Sequence, residues 1–323
     1  MKMKFGWLGW TLVAAALVSP VVWAQTKGAK TVRRALPPKF ERTEGTFYAD
    51  AFKEGLVGER PANLGQAAAA VAGGTSSAPA GGSSSGGGLA GSGWGAIISG
   101  TAIEDEIKAM KLQIDSEVTT PSDYAGKGYK VARRDFSMLA MLFGIIGEYD
   151  GDVRWKKDAP AARDVFARTA ANSKVGTSQV FAEAKLRKQE LQDLIGGSNP
   201  FDGKGGEAKA AWNTVCDRSP LMQHLENVFE PRLKPLLSDK GQFNANLPKI
   251  MHDAEVIGAI GEVLSKDGME DADAAEYKVF CVNLRKAAQE IVEACKTKNY
   301  DQASSAGTAI GKACTECHEN YRS

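Results

Sequence analysis

The sequence predicts an all-α protein: two four-helix up-and-down bundles in tandem, behind a flexible N-terminal region. Three observations predict it. From Ile97 onward, apolar residues recur at helical spacing in stretches of roughly 20 residues that end at Gly and Pro signals. A run from Gly73 to Gly93 is nearly all Gly, Ser, Ala and Thr, the composition of a flexible tether. A shorter linker, 197–207 with Pro200, divides the helical part into two sets of four. The expected organisation is a signal peptide over 1–24, a low-complexity region over 25–93, one bundle over 94–196, the linker, and a second bundle over 208–323.

The chain opens with Lys2 and Lys4, an apolar run from Phe5 to Val18, a Ser19-Pro20 break and Val22-Trp23-Ala24 before Gln25. That is the pattern of a signal peptide cut after Ala24, so the protein is expected to be exported, in a bacterium to the periplasm, with no membrane attachment after cleavage. An uncleaved anchor is the alternative, because the apolar stretch nearly reaches spanning length. Between Gln25 and Leu64 lie Pro37-Pro38 and isolated aromatics such as Phe40, Phe47 and Phe52, without a sustained period. The glycines that follow match no phosphate loop, because no strand precedes them and no Gly-Lys-Ser/Thr follows.

Order is expected from Trp94. The first helix runs from Ile97 to Asp115 on Ile103, Ile107, Met110, Leu112 and Ile114, and Pro121 closes it. The second, Tyr129–Tyr149, contains an almost continuous apolar run from Phe136 to Ile146, which reads as a helix buried on most sides. Asp158-Ala159-Pro160 opens the third, and the fourth covers Thr177–Ile195 with Gly196-Gly197 as its end. In the second set the stretches are Pro220–Leu237, Ala245–Lys266, Asp271–Lys298 and Tyr300–Tyr321, with Ser219 as N-cap of the first. Lys240-Gly241 and Asp267-Gly268 mark turns.

With 40 Lys and Arg against 39 Asp and Glu, the net charge of +1 offers no electrostatic footprint for nucleic acid or anionic lipid. The chemistry is concentrated at Cys314-Thr315-Glu316-Cys317-His318, the attachment signature of a c-type haem. Two thiols add across the two vinyl groups, and the adjacent imidazole reaches the iron from the same side. On a helix, Cys314, Cys317 and His318 share one face. The rival readings are weaker: a zinc half-site lacks its second ligand pair, and a thioredoxin-like pair belongs beside a βαβ pattern that is absent here.

The two sets read as a repeat. Setting Asp135 against Asp253 pairs Met138 with Val256, Leu139 with Ile257, Leu142 with Ile260 and Ile146 with Leu264, and keeps the apolar face. No Cys precedes Cys216 and no His precedes His224, so the first set offers haem neither ligand type.

Residues Ser219 to Arg322 resemble the cytochrome c′ family, the class II c-type cytochromes. The likeness rests on a four-helix set with the motif near the end of its last helix and on the run Cys314-x-x-Cys317-His318-x-x-Tyr321-Arg322. The resemblance implies His318 as proximal iron ligand, Cys314 and Cys317 as thioether anchors, and Arg322 close to the proximal face. It also implies Arg218 as a basic partner of the haem acids and Met222 over the distal face. Pro220, read as the start of the helix, leaves Arg218 outside it. Leu225 and Phe229 share the face of Met222. Two iron states are open: five-coordinate under an apolar cover, or six-coordinate through the Met222 thioether, which raises the potential. His224 lies about 200° around the helix from Met222. Both His224 and His252 read as surface or boundary residues. Cys281 and Cys295 read as packed core thiols, about 21 Å apart on one helix and beyond disulfide reach.

The function expected is that of an exported cytochrome with one covalent haem c, carrying single electrons to a redox partner protein that the sequence does not identify. The alternative is a five-coordinate haem protein that binds nitric oxide or carbon monoxide. No enzyme activity is expected, because no distal His/Arg pair for peroxide chemistry can be identified. Because that family often pairs through its first two helices, Phe136–Ile146 is expected to meet Ile250–Leu264 in an intramolecular pseudo-dimer.

Overall fold

Ser99 shows how local chemistry starts the helical region. Its extended backbone and side-chain oxygen cap the N–H of Ala102, and the helix α1 (Gly100–Glu117) follows. The computed structural model describes residues 93–322, so the signal segment and the low-complexity region expected before residue 93 lie outside the described residues. Within them every regular element is helical. After α1 come α2 (Tyr129–Glu148), α3 (Ala159–Asn172), α4 (Ser178–Ile195), α5 (Arg218–Val228), α6 (Leu247–Leu264), α7 (Ala275–Thr297) and α8 (Tyr300–Tyr321). No described helix is long and apolar enough to cross a membrane.

The first four helices pack on one another. Pro121 does not simply close α1; Thr120 caps a new turn at Pro121, which runs through a wide π turn, Tyr124–Gly128, into α2. At Gly128 a β-carbon would sit 2.7 Å from the Glu117 carbonyl oxygen, so only glycine permits this sharp approach. The centre is aromatic: Phe166 stacks on Phe136 at 6.0 Å, meets Phe143 at 5.5 Å and takes the edge of Phe201 at 6.0 Å. Side chains therefore fill the space between these helices. Leu112, read as part of the apolar stripe of α1, is instead 67% exposed.

The last four helices also pack together, with α7 between α6 and α8. Small residues on α8, Ala303, Ala306 and Gly307, let it lie close. At Gly307 a β-carbon would be 2.7 Å from Leu237. Two expectations are corrected here. Lys240-Gly241 is not a bare turn but opens a short helix, Lys240–Ala245, capped by Asp239. Helix α5 begins at Arg218, with Asp217 rather than Ser219 in the N-cap position. A proline at the third helical position is tolerated because first-turn N–H groups have no intrahelical acceptor.

A seam joins the two sets, α2 lying against α5 and α1 against α6. Phe136–Ile146 and Ile250–Leu264 are both buried, yet each meets the first helix of the other set rather than mainly one another. Trp212 lies so close to α2 that a β-carbon at Gly144 would be 3.1 Å from its ring. Trp94 packs on Trp212 at 5.7 Å and donates to Glu148 at 2.9 Å. Glu255 is 3% exposed and accepts from the N–H and hydroxyl of Ser99 at 3.0 and 2.6 Å. Ser99→Ala removes the cap of α1 and one donor to this buried carboxylate. It is expected to cost about 1–2 kcal/mol. Urea denaturation checks it, and an unchanged midpoint would refute this role for Ser99.

Candidate functional site

Helix α8 is capped by Asn299, whose side chain accepts from the N–H of Gln302 at 3.2 Å. Its Ala303–Ala306–Ile310–Ala313 face is buried, and at the far end of that face packing gives way to a cavity of about 430 Å³. The volume falls in the range of cofactor sites, roughly 300–1,000 Å³. All eight residues nominated from sequence line this cavity: Arg218, Met222, Leu225, Phe229, Cys314, Cys317, His318 and Arg322.

The helices divide the labour. α8 supplies Cys314, Cys317 and His318 at positions i, i+3 and i+4, hence from one side. His318 is exposed and both thiols are partly so. α5 supplies Met222 and Leu225, and continues into a π turn, Phe229–Leu233, that contains Pro231 and precedes Pro235. Each proline removes a backbone donor, and widening relieves the clash with the preceding turn. Phe229 there reaches α8, where a β-carbon at Gly311 would be 3.9 Å from its ring. α7 supplies Tyr277, Phe280, Cys281 and Leu284, and α6 supplies Leu264.

Burial pushes the Cys314 thiol up to about 11, with Cys317 and Glu230 adding to it. Burial also pushes Cys317 up, with Arg218 opposing and Asp271 adding. Both are therefore thiols rather than thiolates at neutral pH, and poor spontaneous nucleophiles. All five cysteines are free. Cys216 and Cys295 are buried, each pushed up to about 12 chiefly by loss of water.

Arg218 departs from expectation. It is the first residue of α5, not outside the helix, and its guanidinium is already held by Glu270 at 2.6 Å and by Asp271. Its charge is thus met by two carboxylates before any haem acid approaches. Neither carboxylate was legible as a partner, since both precede α7 by sequence and reach Arg218 only through the fold.

Further cavity residues, on α7, were not nominated from the sequence. Tyr277 is buried, its hydroxyl has no hydrogen-bond partner, and burial pushes its pKa well up, so the phenol stays protonated. Its ring packs at 5.2 Å on Tyr321, which also touches Phe280 at 6.3 Å. Cys281, read as a plain core thiol, is buried but lines the cavity, pushed up to about 12 first by burial and then by Cys317. The spacing Tyr277, Cys281, Leu284 places all three on one helical face, a signal present in the sequence.

Comparison with protein families, with curated proteins and with solved structures finds no match to this chain.

The residues fit a haem held covalently. Two thiols and an imidazole face a largely apolar wall across a cavity of suitable size, and a buried hydroxyl in that wall lacks a partner. A bare metal centre is a poorer fit. Among the described residues no three His, Cys, Asp or Glu side chains converge to hold an ion.

Proposed function

We propose that this chain is an exported c-type cytochrome with one covalent haem, built as two four-helix up-and-down bundles in tandem, of which only the C-terminal one carries the cofactor. The observation that carries the reading is the placement of Cys314, Cys317 and His318 on one face of α8, looking into a cavity whose opposite wall is Met222, Leu225 and Phe229. Haem bound there supplies one-electron Fe(II)/Fe(III) chemistry. Cys314 and Cys317 would hold it through thioethers, and His318 would supply an imidazole to its iron. Leu225 and Phe229 exclude water from the distal side. Arg322 and the Tyr277 hydroxyl are the groups available to the haem acids, Arg218 being shared with Glu270 and Asp271. The partner is a redox protein, and the site transforms no substrate.

A second reading has its own support. Leu225 and Phe229 are more deeply buried than Met222, so an apolar five-coordinate pocket for nitric oxide or carbon monoxide is built from the same wall. Absorption spectra of the haem-loaded protein separate the two. Electron transfer with Met222 ligation predicts a low-spin ferric spectrum that becomes high-spin in Met222→Ala. A wild-type spectrum already high-spin, with a ferrous form shifted by carbon monoxide, supports the gas-binding reading instead.

A further inference from the structure

Away from the cavity, the seam encloses a charged cluster that electron carriage does not use. Glu106 of α1 is fully buried, with one carboxylate oxygen 2.9 Å from Nε2 of His224 on α5 and the other 3.3 Å from Nε2 of His252 on α6. His224 is only 2% exposed, against the expectation of a surface residue. The π turn after α5 adds Arg232, which is 3.9 Å from Glu106 and paired with Asp253 of α6. Asp253 also meets Nδ1 of His252 at 3.3 Å. From α2 come the fully buried Asp135 and its partner Arg134 at 2.8 Å. A carboxylate taken out of water this completely is strongly unfavourable unless it is paired. Glu106 finds its partners only across the seam.

Helix α5 links this cluster to the cavity. One of its faces carries Met222, Leu225 and Phe229 toward the proposed haem, and another carries His224 onto Glu106. We propose that Glu106, a residue of the haemless helices, positions the distal helix α5 through its contact with His224, in a clasp whose proton dependence comes from His252. The inference rests on the haem reading, and it makes the haemless set a buttress for the distal wall.

The pH window follows from the groups. Burial alone would push Glu106 up, but His224, His252 and Arg232 outweigh it and hold the carboxyl below its ordinary 4.5. Burial would push His252 down, yet Asp253 and Glu106 hold it above its ordinary 6.5 against Arg232. Glu106 therefore stabilises the clasp above pH 4.5, and its contribution is lost as pH falls through its lowered value. His252 contributes fully below pH 6.5, and that contribution is lost as pH rises through its raised value. Asp135 runs the other way: burial pushes it up, with Arg134 and His224 opposing, so its protonation on acidification relieves a cost. The clasp is tightest between pH 4.5 and 6.5 and slackens on the alkaline side as His252 loses its proton.

The test uses full-length, haem-loaded protein with Glu106→Gln and His252→Gln, near-isosteric changes outside the cavity. Haem absorbance and reduction potential are followed from about pH 5 to about pH 9, with circular dichroism as a check on folding. Wild type is expected to show a transition above pH 6.5 in both signals, and both variants are expected to lose it. A transition that is identical in wild type and variants, or absent from wild type, overturns the clasp while leaving the cytochrome reading intact. Protein that never attaches haem overturns the reading and the clasp with it. If Glu106→Gln fails to fold, His252→Gln alone decides, since it removes only the titrating group.

Discussion

Cys314→Ser/Cys317→Ser is expected to abolish the proposed covalent attachment of haem. A serine oxygen does not form the thioether, so the double variant has no bond left to the porphyrin, whereas each single variant keeps at most one. His318→Ala behaves differently: it removes the iron ligand while both thiols can still react. Haem staining on a denaturing gel is expected to show a band for wild type and for His318→Ala, and none for the double variant. The other cysteines do not substitute. Cys281 lines the same cavity, but it sits on α7 rather than on the α8 face that carries His318. A stained band from the double variant would mean that attachment runs through residues other than these two.

Phe166→Ala is expected to be the most damaging single change outside the cavity. Its ring is fully buried and touches Phe136, Phe143 and Phe201. Truncation leaves a ring-sized void and costs about 3–5 kcal/mol, against a typical total of about 5–15 kcal/mol for a domain. Because α1 and α2 carry the seam onto α6 and α5, the loss is expected to be felt in the C-terminal set too. Guanidinium titrations read by far-UV circular dichroism and by haem absorbance are expected to move together to lower denaturant. If the haem signal keeps its wild-type midpoint while half of the helical signal melts early, the two sets are independent beads and the seam is not energetically important.

Much of the fold was legible because amphipathic helices write their buried face into the sequence at a period of 3.6 residues. α8 occupies Tyr300–Tyr321, the stretch expected from its helical spacing, and the structure adds Asn299 as its cap. The eleven apolar or small residues of Phe136–Ile146 announced a helix buried on most sides, but not what would cover it. That depended on Trp212, which lies in a segment without periodicity. The motif was legible because its chemistry is local. The distal wall followed from the i, i+3, i+7 spacing of Met222, Leu225 and Phe229. What could not be read were pairings over long separations. Nothing near Glu255 or Glu106 in the sequence names a partner, and only the seam supplies Ser99 to one and two imidazoles to the other. Arg218 was misplaced because Pro220 reads as a first helical residue, although a proline two positions further in is equally free of a missing hydrogen bond.

Whether haem is bonded to this chain at all is decided by mass spectrometry of the protein made in a bacterium that attaches c-type haem. The expected result is an intact mass raised by one haem per chain and, after proteolysis, all of that increment on the peptide that contains Cys314–His318. A chain recovered at its bare polypeptide mass, from cells in which a control c-type cytochrome is fully loaded, would contradict the cytochrome reading.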